Sequence, residues 1–116
     1  MDPAALVARF HAAINALDFA AIEEFFAEDA TYCSGGIGGL KGRAGIMAAF
    51  RCYFAEYSDQ HAEDSLIEPL SATAARSIWR LTATSTITGK RLQRQGEETI
   101  TFNEDGRILS VDVTDS

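Results

Sequence analysis

Residues 6–46, LVARFHAAINALDFAAIEEFFAEDATYCSGGIGGLKGRAGI, decide the fold. Leu6, Phe10, Ala13, Ile14 and Leu17 recur at three- and four-residue spacings, which predicts a helix with one face against an apolar surface. Asp2 can cap that helix and Pro3 can occupy its first turn, where a missing N–H costs nothing. Asp18 is the expected cap of a second helix, with Phe19, Ile22, Phe25 and Phe26 on its apolar side and Glu23, Glu24 and Glu28 toward water. Residues 30–33 have the β-branched and aromatic character of a short strand. The segment SGGIGGLKG (34–42) lacks the GxxxxGK(S/T) and GxGxxG spacings of phosphate loops, and its glycines predict a mobile flap rather than a helix or strand. A third helix follows, in which Ile46, Phe50, Tyr53, Phe54 and Tyr57 form a stripe expected in the core.

Beyond Ser58 the pattern turns to strands: DQHAEDSLIEPL (59–70), ARSIWRLTATSTI (75–87), RLQRQGEETITFN (91–103) and RILSVDV (107–113), with a turn at Thr88-Gly89-Lys90 and a hairpin signal at Asn103-Glu104-Asp105-Gly106. With no helical stretch between them they should pair as an antiparallel meander, giving an α+β cone of three N-terminal helices on one face of a strongly curved, mainly antiparallel sheet. Strand alternation sends Ser77, Trp79, Leu81 and Ala83 inward, with Arg76, Arg80, Thr82 and Thr84 outward. The same parity puts Gly96, Glu98, Ile100 and Phe102 inside, and Leu109, Val111 and Val113 inside with Asp115 at the rim.

At 116 residues the chain suits one domain, 1–116. Its net charge of -7 would repel phosphate backbones and anionic lipid, which argues against nucleic acid or membrane as partners. Cys33 and Cys52 show no metal-ligand spacing and no signal peptide precedes the first helix, so a cytoplasmic location and no metal are expected. Cys33 reads as a small buried hydrophobe.

The stretches ARFHAAINALDFAAIEEFFAEDATY (8–32), GLKGRAGI (39–46) and the strand pair SIWRLTATSTITGK (77–90) with EETITFNEDGRILSV (97–111) resemble the nuclear transport factor 2-like superfamily, in its ketosteroid isomerase-like and SnoaL-like branches. The resemblance implies the cone fold and a pocket that takes a small apolar or amphipathic molecule without a cofactor. It also implies a homodimer formed through the outer sheet face of Ile78, Thr82, Thr84, Thr99 and Thr101. Where the isomerase has an oxyanion-binding tyrosine this chain has Phe10, and where it has a general-base aspartate this chain has Ser34. Its buried acid alone survives, at Glu98. The chain is therefore expected not to be a true ketosteroid isomerase.

Glu98, His61 and Asp115 are the candidates for acid–base work, of isomerase, cyclase, dehydratase or hydrolase type. Phe10, Tyr32, Ser34, Phe54, Trp79, Leu81, Glu98 and Val111 are the expected ligand-binding residues. His11 lies at the margin of the first helix's apolar face and receives no role; Arg91 and Arg94 read as a solvated edge. Glu98 is expected either to remain a neutral hydrogen-bond donor or, in the alternative, to pair with Arg94. The contrasting reading of the whole is a non-catalytic ligand-binding or dimeric protein-interaction domain.

Overall fold

The computed structural model describes residues 1–35 and 38–116. Helix α1 (Pro3–Asn15) starts as expected, with Asp2 accepting from the Ala5 N–H at 3.1 Å. Its inward stripe is rotated by about one residue from the predicted one. Val7 and Phe10 are fully buried, His11 and Ile14 continue the stripe, and Leu6, Ala13 and Leu17 flank it. Helix α2 (Phe19–Phe25) is capped by Asp18, and α3 (Arg43–Glu56) turns Ile46, Met47, Phe50 and Phe54 into the core.

Strand β1 runs Phe26–Ser34, so it takes over Phe26 from the predicted end of α2 and is longer than residues 30–33. Strand β2 (Gly38–Lys41) lies where only a flap was expected and pairs antiparallel with β1, Gly39 opposite Cys33. The ladder with β1 supplies the order that glycine lacks on its own. Gly36 and Ile37, the centre of the predicted flap, lie outside the described residues. Gly42, at φ 91°, makes the turn into α3 and donates its N–H to the Ala30 carbonyl at 2.7 Å.

Strands β3 (His61–Ser71), β4 (Ala74–Thr84), β5 (Arg91–Phe102) and β6 (Ile108–Asp115) form the expected meander. The sheet order is β2-β1-β6-β5-β4-β3, and the first and last long strands, β1 and β6, pair parallel one strand in from the β2 edge. Bulges interrupt the ladder after Asp64 in β3 and near Phe102 in β5. Edge-to-face rings of Phe10, Phe26, Phe50 and Phe54 fill the space between helices and sheet. Cys33 and Cys52 are both exposed, which corrects the reading of Cys33 as a buried hydrophobe: in β1 it alternates outward between Tyr32 and Ser34. No helix among the described residues is long and apolar enough to cross a membrane.

β6 crosses close over Gly96, where an added Cβ would overlap the Thr114 carbonyl oxygen and lie 2.9 Å from the Asp115 Cα. Gly96→Ala is expected to lower stability by about 1–3 kcal/mol. Gly45→Ala, in α3 with nothing within 4 Å of the new methyl, should raise it by about 0.5–1 kcal/mol. Urea unfolding of the two variants beside the parent checks both signs; a neutral Gly96→Ala would mean that β6 slides away freely.

Candidate functional site

Between α1, α3 and the inner face of the sheet lies a cavity of about 90 Å³. Phe50, Tyr53 and Phe54 of α3, Trp79 and Leu81 of β4, and Tyr32 of β1 make most of its wall apolar and aromatic. Strand parity put Trp79, Leu81 and Glu98 on this side, and there they stand.

His11 is the residue that organises the polar part. Its Nδ1 is 2.7 Å from Asp64 Oδ2 and its Nε2 is 2.6 Å from Glu98 Oε1, so one imidazole bridges a carboxylate on β3 and another on β5. Side-chain exposure is 14% for His11, 19% for Asp64 and 9% for Glu98, and all three border the cavity. The geometry is fixed one turn along α1. There the Asn15 amide donates to the Ala62 carbonyl and accepts from the Ala62 N–H, both at 2.9 Å. Gln60 adds a bond from Nε2 to the Ile14 carbonyl at 3.1 Å. These contacts dock β3 in a register that turns Ala62 and Asp64 toward α1, and His61 and Glu63 away.

Burial works against a charge on His11. The charge of Glu98 and the hydrogen bonds to Asp64 and Glu98 together outweigh it and raise the pKa from 6.5 to about 10. At neutral pH the ring is an imidazolium with both N–H groups engaged. Burial, and after it the charge of Glu98, push the Tyr32 phenol well above its usual range, so it stays a neutral hydroxyl. Trp79 Nε1 and Gln60 Oε1 are buried on cavity residues without a hydrogen-bond partner among the described residues. A donor and an acceptor on the wall therefore remain to be satisfied.

Arg94 does not reach Glu98. Its guanidinium makes a two-pronged pair with Asp115, 2.8 Å for each bond, donates to the Tyr53 hydroxyl at 3.2 Å, and lies 5.4 Å from the Trp79 ring centroid. It is thus half-buried on the cavity border rather than part of a solvated edge, and its bonds to Asp115 are the main cause that lowers the Asp115 pKa. The basic side chain beside Glu98 is His11, at 2.6 Å, rather than Arg94.

Tyr32, Ser34, Phe54, Trp79, Leu81 and Glu98 border the cavity. Phe10 and Val111 do not: both are packed in the core, and Val113, one pleat further along β6, takes the place of Val111 on the wall. His61 is 62% exposed on the outer face, 3.4 Å from Glu63, and Asp115 is 41% exposed and held at the rim by Arg94. Neither joins the group around Glu98. Among the described residues no set of three or more His, Cys, Asp and Glu side chains is arranged to hold a metal ion. Two sequence signals could have found the missed residues: the spacing Val7, Phe10, His11, Ile14, and the alternation that separates Asp64 from His61.

Removing His11 leaves the buried Glu98 and the part-buried Asp64 without their shared cation, so His11→Leu should lower stability by roughly 3 kcal/mol at neutral pH. Because the folded-state pKa of His11 lies above the unfolded value of 6.5, its stabilisation is complete below pH 6.5 and is lost as pH rises toward 10. The parent should lose up to about 1.4 kcal/mol per pH unit in this window, and His11→Gln should lack the slope. Urea unfolding between about pH 7 and pH 9.5 measures both; parallel profiles for parent and His11→Gln would mean that the ring is not charged.

The profile of the SnoaL-like domain family matches residues 7–111. A comparison with curated proteins found no match. Among solved structures, an NTF2-like protein of unknown function from Exiguobacterium sp. 255-15 superposes with a TM-score of 0.85 at 16% identity, over 96% of this chain and 98% of that one. SalBIII, an epoxide hydrolase/cyclase-like enzyme in pyran ring formation of the polyether salinomycin, gives 0.84 at 21% identity, over 96% and 88%. RV0760c from Mycobacterium tuberculosis, solved with estradiol-17beta-hemisuccinate, gives 0.85 at 19%, over 97% and 93%. At these identities the likeness is one of fold. With the family profile spanning α1 to β6, the chain belongs to the SnoaL-like domain family.

Proposed function

We propose that the protein binds a small, largely apolar molecule in the cavity and moves a proton on it without a cofactor. The observation that carries this reading is His11, bridged to two carboxylates at the wall of an otherwise apolar and aromatic cavity. An imidazolium with a pKa of about 10 cannot serve as a base at neutral pH, so that role falls to the Glu98 carboxylate. Glu98 takes a proton from the ligand and returns it, while His11 fixes the carboxylate and Asp64 fixes the ring. The Tyr32 hydroxyl and the Trp79 indole N–H are donors for oxygen on which negative charge develops. Ligand-binding and cyclase-type members of the same fold, RV0760c with its bound steroid ester and SalBIII, support a pocket role.

A steroid is far larger than about 90 Å³, and Phe10 lacks the donor of a ketosteroid isomerase, so no isomerisation of unsaturated 3-ketosteroids is expected. Cyclohexanone fits. In D2O the protein should accelerate exchange of its α-protons, read by NMR, and Glu98→Gln should remove about two to four orders of magnitude of that acceleration. Binding, read by quenching of Trp79, the sole tryptophan, without exchange would favour the non-catalytic reading. The absence of both binding and exchange would sink the pocket role.

The outer sheet face supports a homodimer as part of this reading. Leu66 and Ile78, paired neighbours on β3 and β4, are exposed there beside Thr82, Thr99 and Thr101. The face is more charged than the sequence suggested, since Arg76 pairs with Glu68 and Glu97. Light scattering should return twice 12.6 kDa, and Ile78→Glu should return the single mass; a parent protein that is monomeric at micromolar concentration would overturn the dimer.

A further inference from the structure

We propose that the ligand of this cavity is a compact apolar amine, bound as its ammonium ion. The proposal rests on the reading of the cavity as a ligand site and adds the charge of what enters. Among the described residues four ionic side chains border the cavity: His11, Asp64, Glu98 and Arg94. Arg94 is already matched by Asp115 through two hydrogen bonds. The remaining group is two carboxylates around one imidazolium, which leaves one negative charge uncompensated in a region largely shielded from water. Placing the proton on one of the two acids instead of the ring leaves the net charge of the group the same. A carboxylate or phosphate entering this space meets repulsion that the interior screens poorly, and a cation meets attraction for the same reason.

Two further observations agree. Phe50, Tyr53, Phe54 and Trp79 surround the same space, and aromatic faces attract a desolvated ammonium while burying the carbon skeleton attached to it. Gln60 Oε1, on a residue only 5% exposed, has no donor among the described residues and can accept from an ammonium N–H. The orphan Trp79 N–H serves an oxygen on the ligand where one is present. Size narrows the class: about 90 Å³, at roughly 10–15 Å³ for each water-sized site, holds roughly six to nine non-hydrogen atoms. Proton transfer to Glu98 is compatible with this choice, because it moves the carboxylate's negative charge onto the ligand and creates no new one. An ammonium on the ligand offsets that charge before and after the transfer.

The test is a matched series on the intact protein near neutral pH: cyclohexylamine, cyclohexanol and cyclohexanecarboxylate, each titrated by calorimetry with Trp79 fluorescence alongside. The amine should bind about tenfold or more tighter than the alcohol, and the carboxylate about a hundredfold or more weaker than the amine. Glu98→Gln should shrink the amine-to-alcohol ratio toward one while the alcohol still binds. Asp64→Asn should do the same and stands in if Glu98→Gln does not fold. Equal binding of amine and alcohol, or a carboxylate that matches the amine, overturns the charge selection and leaves the pocket reading standing. If none of the three binds, the pocket reading falls and the amine proposal with it.

Discussion

One protonated ring holds three parts of this molecule together. His11 projects from α1 and satisfies carboxylates on β3 and β5, strands separated in the sheet by β4. Without the cation the two acids would carry like charges into a space with little water, and the sheet would have to open or take up protons to relieve them. The carboxylates in turn keep the ring charged against burial. Each member of the group makes the others tolerable, so the cavity's polar wall stands or falls as a unit.

The surrounding structure serves that unit. Asn15, four residues beyond His11 on the same helix, binds both backbone groups of Ala62 and sets the register that turns Asp64 inward. The phenylalanine cluster below sets the distance between α1 and the sheet. On the far side Arg94, Asp115 and Tyr53 form a second ionic group that is complete in itself, which keeps the Arg94 guanidinium from competing with His11 for Glu98. The cavity lies between one balanced charge group and one that is not.

The meander, the inward faces of β4 and β5, and the places of Trp79 and Glu98 were legible in the sequence because alternating strands with one apolar side carry their own register. Strand β2 was not, since four residues with two glycines have no strand preference until β1 offers them a ladder. His11 was missed because a polar residue within an apolar stripe looks marginal until its partners are known, and Asp64 and Glu98 lie 53 and 87 residues away. Arg94 was misread for a similar reason: its neighbour in the chain is solvent-facing Gln95, while its partner, Asp115, comes from another strand. β3 was the hardest strand to orient, as both of its faces carry charged residues.

The parallel pairing of β1 with β6 has a consequence for how the chain reaches this state. Of the strands β1 is made early and β6 last, yet the two are neighbours in the sheet. During synthesis β1 and its partner β2 can form only a two-stranded ribbon, which is marginal in water, and the helices above it have half a sheet to cover. The meander must therefore be complete before the fold can close, and closing it means ordering a loop about two thirds as long as the chain. Such non-local closure places the protein among slow-folding topologies, and a nascent chain stalled before β6 would leave β1 and β5 without the strand that lies between them.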